Sequence, residues 1–219
     1  QVARLYHRGL ENALFIMEFP VEGMISRFLV LLDAGALPES IGPVRSLRPY
    51  FVDALLPWSS ALFFAGGSPE AYERAEREDL LAVNGLLHDN GTEFVRDPEA
   101  SAPHDLFLPR STMQAFLDDV SAPAAVMTPW PPYALVIARD AQKAHAVHLE
   151  CLSIAHDVAY EFQPFTGTYV RTNGNTISQV RPRNVLIIET PVAGAGEYGR
   201  LDLPLEGTGA AILFHSRTV

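Results

Sequence analysis

The sequence predicts an α+β protein, an N-terminal mixed α/β layer domain followed by a smaller, mainly antiparallel β domain. Three observations lead there. Short runs of Phe, Ile, Val and Leu alternate with helical patterns as far as about residue 120, as layers of sheet and helix require. Pro129, Pro131 and Pro132 then interrupt the pattern. Beyond them only short strand-like segments recur, separated by Pro- and Gly-containing turns. The units read as 1–128 and 133–219, joined by a stiff, extended proline segment.

The elements follow in order. Leu14 to Glu18 and Arg27 to Leu32 are apolar runs bounded by Pro20 and Gly35, and read as strands. Ser46 to Leu56 reads as a helix with Ser46 as N-cap and Pro49 in the first turn. Leu47, Tyr50, Phe51, Ala54 and Leu55 there repeat at the spacing of a buried helical stripe. Ser60 to Ala65 is a third strand. Ser68 to about Leu81 is a helix capped by Ser68 with Pro69 at its first position, and Ser111 to Val120 is another, with Ser111 and Gln114 as a capping box. The second unit offers strands at Ala144 to Leu149, Asp157 to Gln163, Thr168 to Thr172, Asn184 to Thr190 and Gly209 to His215. The last is apolar enough to need cover, so it is expected to pair within its own unit.

Charge and composition exclude some functions. A formal charge of -10 argues against a nucleic-acid surface, which needs clustered cations. Fifteen of the 16 basic residues are arginine, Lys143 being the exception, so amine nucleophiles are scarce and bidentate anion donors plentiful. A single cysteine, Cys151, rules out an internal disulfide and a multi-thiolate zinc site. No apolar run reaches 18 residues and no charged-then-apolar leader is present, so this stretch neither spans nor targets a membrane by itself. Both ends read as trimmed, with any signal peptide or lipid-bearing cysteine lying upstream.

Arg45 and Arg48 are the residues that point most directly to a site. They flank the expected start of a helix, where cations oppose the helix dipole by roughly 0.3–1 kcal/mol each, so an anion is expected beside them. Either Glu22 supplies it, as an internal salt bridge, or a ligand does. The turn Gly66-Gly67-Ser68 leads from a strand into a capped helix, which is either an ordinary strand-to-helix turn or an arrangement that presents backbone N–H groups to anions. With Arg27 at a neighbouring strand end, these residues form the candidate ligand-binding set.

A second set suits acid–base chemistry. His104 lies between Pro103 and Asp105, near the Arg96-Asp97-Pro98 turn, and its ordinary pKa range fits proton transfer, with Asp97 or Asp105 to orient it. Tyr169, Arg171 and Asn173 alternate along one strand and so share a face, which is either an aromatic and polar binding platform or a cross-strand ladder. His145 and His148 point to opposite faces of a strand and make no metal site. No metal or cofactor is expected.

Val21-Glu22-Gly23-Met24-Ile25-Ser26-Arg27-Phe28, Ile41 to Tyr50, Gly66 to Glu70, Arg96-Asp97 and Pro103-His104-Asp105-Leu106 occur in one order, followed by Tyr169 to Gly174 and Arg183 to Ile187. In this the chain resembles the YerB-type bacterial lipoproteins, domain of unknown function 3048. The resemblance implies a secreted or lipid-anchored protein with a larger N-terminal and a smaller C-terminal domain, and no settled reaction. The chain departs from the family pattern at Ala65, where a histidine is usual, and at Asp105, where asparagine is usual. Asn175 to Gln179 also lacks the expected histidine and aspartate, which removes groups that a mechanism would need.

The expected function is therefore that of an extracytoplasmic cell-envelope protein binding an anionic or glycan-like ligand through an arginine-rich cleft. Its membrane contact would come only through an upstream lipid anchor. The alternatives are a hydrolase or transferase using His104 with Asp97 or Asp105, and an envelope protein-interaction module.

Overall fold

The structure is a computed structural model and describes residues 2–23, 25–59, 61–119, 144–150, 157–192 and 199–215. Two 3-10 turns, Val2–Leu5 and Leu10–Asn12, lead into the antiparallel hairpin of β1 (Ala13–Val21) and β2 (Ile25–Leu32). Pro20, expected to end its strand, lies inside β1 opposite Ser26. A two-stranded ribbon has an outer edge where a missing N–H costs no ladder bond. Alternation divides the hairpin into two faces. Met17, Phe19, Val21, Ile25, Leu29 and Leu31 turn toward one core, and Glu18, Ser26 and Phe28 turn the other way.

A 3-10 turn (Ala34–Ala36) and the short β3 (Ser40–Ile41) precede helix α1 (Pro49–Leu55). That helix starts three residues later than expected, and Ser46 does not cap it. The residue before a proline is pushed out of the helical region by the pyrrolidine ring, and Arg48 is extended, with φ -132 and ψ 154. Segment 44–48 therefore runs as extended chain beside Gly66 and Gly67. Leu47 N–H donates to Gly66 O (2.9 Å), and Ala65 N–H to Arg45 O (3.0 Å).

Strand β4 (Ala61–Phe64), helix α2 (Pro69–Arg77) and strand β5 (Leu81–Asn84) form a parallel strand–helix–strand unit. Ser68 caps α2 as expected, its Oγ accepting from Ala71 N–H at 3.2 Å. The helix was expected to reach about Leu81. It ends at Arg77, and Asp79 takes a positive φ of 51° before β5 begins. Leu62 and Phe64 pack with α1, α2 and Leu203, whereas Phe63, Ala65 and Val83 pack with Phe94, Leu106, Leu108 and Met113. The alternation of one strand thus separates two cores.

Strands β6 (Val95–Arg96) and β7 (Leu106–Pro109) pair with each other, β3 pairs with the other edge of β7, and helix α3 (Arg110–Asp119) follows directly. The Ser111–Gln114 capping box does not form. Gln114 instead donates to Asp118, one turn on, at 2.9 Å. The expected proline boundary at 129–132 lies outside the described residues.

In the second half β8 (Ala146–Glu150), β9 (Asp157–Gln163), β10 (Thr168–Asn173) and β11 (Thr176–Ile177) build one antiparallel sheet in the order β11-β10-β9-β8. Strands β12 (Asn184–Ile188) and β13 (Ala211–His215) form a separate antiparallel pair. The 209–215 segment thus finds its partner inside the second half. The molecule is α+β, as its composition of elements predicts.

Candidate functional site

Arg48, Arg45 and Arg27 surround the start of α1, and each has a different partner. Arg48 is 6% exposed. Its Nε donates to Glu22 Oε2 at 3.1 Å, a second guanidinium nitrogen forms an ion pair with Glu22 Oε1, and Nη1 donates to Leu47 O at 2.6 Å. The anion implied by Arg48 is therefore the chain's own Glu22, carried on the β1–β2 turn. A buried guanidinium needs such a partner, because an unpaired buried charge costs several kcal/mol.

Arg27 and Arg45 have no such carboxylate. Arg27 Nη1 donates to Ser46 O at 2.7 Å, and Arg45 Nη1 donates to Pro103 O. Among the described residues neither forms an ion pair. Burial, and then the Arg45 charge, bring the Arg27 pKa down to about 10. Burial also lowers that of Arg45, against the opposing field of Asp105. Both remain cationic at neutral pH, close enough to affect each other. A site short of negative charge by this pair of cations is chemically suited to an oxyanion.

The glycine turn lies against segment 44–48 through its backbone. Gly66 has φ +73, and a Cβ there would stand 3.1 Å from Leu86 Cδ1 and 3.7 Å from Ser46 Oγ. Gly66 N–H is not free for a ligand, because it donates to Asn84 Oδ1 at 2.9 Å. Asn84 also accepts from Leu86 N–H (3.2 Å) and donates to the Tyr72 hydroxyl (3.3 Å). Sequence reasoning missed Asn84 because it expects no strand after the helix that reads to about Leu81. An Asn followed by Gly at the end of a short apolar run was the available signal. Ser68 is 1% exposed and occupied as a cap.

His104, Asp97 and Asp105 lie in the β6–β7 loop, yet neither carboxylate meets the imidazole. Asp97 forms an ion pair with Arg8 and accepts from Glu99 N–H at 2.8 Å. Asp105 accepts from Arg96 Nη1 at 2.9 Å, and Arg96 also binds Asp89. His104 Nδ1 is buried and has no hydrogen-bond partner among the described residues. Burial first, then Arg45, hold this histidine below its usual pKa, with Asp105 opposing. Both effects favour the neutral imidazole, and among the described residues no carboxylate is hydrogen-bonded to orient it.

Tyr169, Arg171 and Asn173 do share a face, and it is buried rather than solvated, at 3%, 3% and 7% exposed. Arg171 Nη2 donates to both carboxylate oxygens of Glu18 at 2.8 and 3.0 Å, and its guanidinium lies over Phe28 at 5.1 Å. Asn173 Oδ1 accepts from Arg4 at 3.2 Å. Glu18 and Phe28 occupy the hairpin face opposite Arg27, so Arg171 sits behind the hairpin. The structure does not bring Tyr169 and Arg171 into one cleft with Arg27 and Arg45.

Two surface depressions, one beside Arg8, Glu39 and Arg110 and one beside Ala34, Leu37 and Gln114, also lie away from the arginine pair. No group of three or more His, Cys, Asp or Glu suited to a metal ion occurs among the described residues. No helix among them is long and apolar enough to cross a membrane.

Comparison with known proteins gives three matches. The model of the N-terminal domain of a protein of unknown function (DUF3048) matches residues 2–122. A Bacillus subtilis protein carried under the name of a lipoprotein, YerB, is 26% identical over 220 residues. That alignment takes in 96% of this chain and 66% of the relative, so the chain spans just under two thirds of the relative's length. The crystal structure of the B. subtilis YerB protein superposes with a TM-score of 0.76 at 24% identity, over 96% of this chain and 73% of that one, which establishes the shared fold.

Proposed function

We propose, since the chain belongs to the DUF3048 family, that it works outside the cytoplasm as a cell-envelope protein and binds an anionic or glycan-like ligand through Arg27 and Arg45. The lipoprotein name of the YerB relative supports the location. A lipid anchor upstream of this chain would hold the protein at the membrane surface.

The observation that carries the binding reading is the contrast among three neighbouring arginines. Arg48 has Glu22, whereas among the described residues Arg27 and Arg45 have only the carbonyls of Ser46 and Pro103. A carbonyl orients a guanidinium without neutralising it, which leaves charge for a ligand. The 1–128 unit carries this pair. The 133–219 unit meets it behind the hairpin through Arg171 and Asn173 and also lends Leu203 to the core around α1 and α2, while among the described residues no sheet takes strands from both halves. In this reading Gly66, Gly67 and Ser68 shape the site, and Tyr169 and Arg171 support it from behind.

One observation favours the hydrolase or transferase reading, namely the buried Nδ1 of His104, which has no hydrogen-bond partner among the described residues, in an imidazole whose neutral form burial and Arg45 favour. Calorimetry with purified cell-wall fragments separates the two. A binding protein loses affinity at least tenfold in Arg45→Ala and keeps it in His104→Ala. Turnover of a fragment that disappears in His104→Ala would replace the binding reading with the enzymatic one.

A further inference from the structure

Resting on the binding reading above, we infer that the Arg27–Arg45 site takes a terminal phosphate, meaning inorganic phosphate or a phosphomonoester, in preference to a carboxylate or a phosphodiester.

Geometry comes first. Arg27 projects from β2 and is held at Ser46 O (2.7 Å), while Arg45 projects from the extended 44–48 segment and is held at Pro103 O, on the β6–β7 loop. One N–H of each guanidinium is thereby used, and among the described residues no carboxylate takes the remaining donors of the two planar forks. A carboxylate has two oxygens in one plane and matches one fork. A phosphodiester also has only two free oxygens. A terminal phosphate has three, arranged tetrahedrally, and can accept from two forks that arrive from different elements.

Charge points the same way. Asp105 is the nearby carboxylate that acts on Arg45, but its Oδ1 is bound by Arg96 at 2.9 Å. Glu22 is bound by Arg48. Burial and Arg45 favour the neutral form of His104, which adds neither competing positive charge nor a counter-ion. An oxyanion of higher charge therefore gains more here than a monoanion, with Coulomb attraction strengthened by the partly desolvated surroundings.

The test is a calorimetric panel on the unmodified protein at low ionic strength, with inorganic phosphate, glycerol 3-phosphate, sulfate, acetate and dimethyl phosphate. Phosphate or glycerol 3-phosphate should bind at least tenfold more tightly than acetate and dimethyl phosphate. Tighter binding of glycerol 3-phosphate than of phosphate identifies a monoester as the source, and the reverse identifies free phosphate. Phosphate affinity should rise severalfold from pH 5.5 to 7.5 as its second proton leaves, while sulfate, always a dianion, stays flat. Acetate binding as well as phosphate would overturn the ligand class while leaving an anion site in place. Failure of every anion, glycans alone being bound, would overturn both. Arg27→Lys and Arg45→Lys keep the charge and the fold but lose the fork, and each should lower phosphate affinity about tenfold. An unchanged affinity in both would also overturn the inference.

Discussion

Arg48 and Arg45 illustrate how far a local sequence argument reaches. Two cations at a helix start imply an anion, and Glu22, named as the internal candidate, meets Arg48. That much was legible because dipole and charge are local. Glu22→Gln should leave Arg48 buried without its counter-ion, and the cost is expected at about 2 kcal/mol, below the full value for a wholly buried pair because Glu22 is partly exposed. Urea unfolding measures it, and an unchanged midpoint would mean that the pair is not formed. Gly66 gives a second residue-scale expectation. With φ +73 and Leu86 Cδ1 3.1 Å from an added Cβ, Gly66→Ala should cost about 1–2 kcal/mol and displace segment 44–48 from its partner.

At the scale of elements, β1, β2, β4 and the longer strands of the second half were legible from apolar runs and period-two alternation, as was the Ser68 cap of α2, whereas β3, β5, β6, β7 and β11, the start of α1 and the end of α2 were not. Ser46 looked like a cap, but Pro49 forces Arg48 to be extended, and this tertiary pairing of 44–48 with 65–67 has no local signature. Strand β5 was lost for a related reason, since Leu80 to Val83 is too short an apolar run to distinguish from a helix end. The turn after β5 is closely packed. A Cβ on Gly85 would stand 2.5 Å from the ring of Phe94, which is completely buried. Gly85→Ala is therefore expected to destabilise by about 1–3 kcal/mol by forcing that ring to move, and thermal unfolding would show it.

Across the whole molecule, the joining of the two halves could not be read from sequence, because Arg171 and Glu18 lie 153 positions apart and neither residue marks the other. Their pairing turns a face expected to be either a binding platform or an exposed ladder into a buried contact. His7 is part of the same cluster, its ring 5.5 Å from that of Phe28. Burial first, and then Arg171, bring its pKa down to about 4. An unfolded-state histidine near 6.5 binds a proton more readily, so stability is intact above pH 6.5 and declines as the pH falls toward 4, by up to about 3 kcal/mol from this group. Comparing unfolding midpoints at pH 7.5 and 4.5 should show a smaller acid loss in His7→Phe than in the wild type. Equal losses would remove His7 from the account.

Arg27 and Arg45, and not their neighbours, hold the ligand's charge, and side-chain NMR of protein labelled with 15N-arginine can follow each guanidinium as ligand is added. On titration with inorganic phosphate, the guanidinium signals of Arg27 and Arg45 should shift together and saturate, while those of Arg48, bound to Glu22, and Arg171, bound to Glu18, stay in place. Saturable shifts at Arg48 or Arg171 with none at Arg27 and Arg45, or no saturable shift at any arginine, would contradict the account.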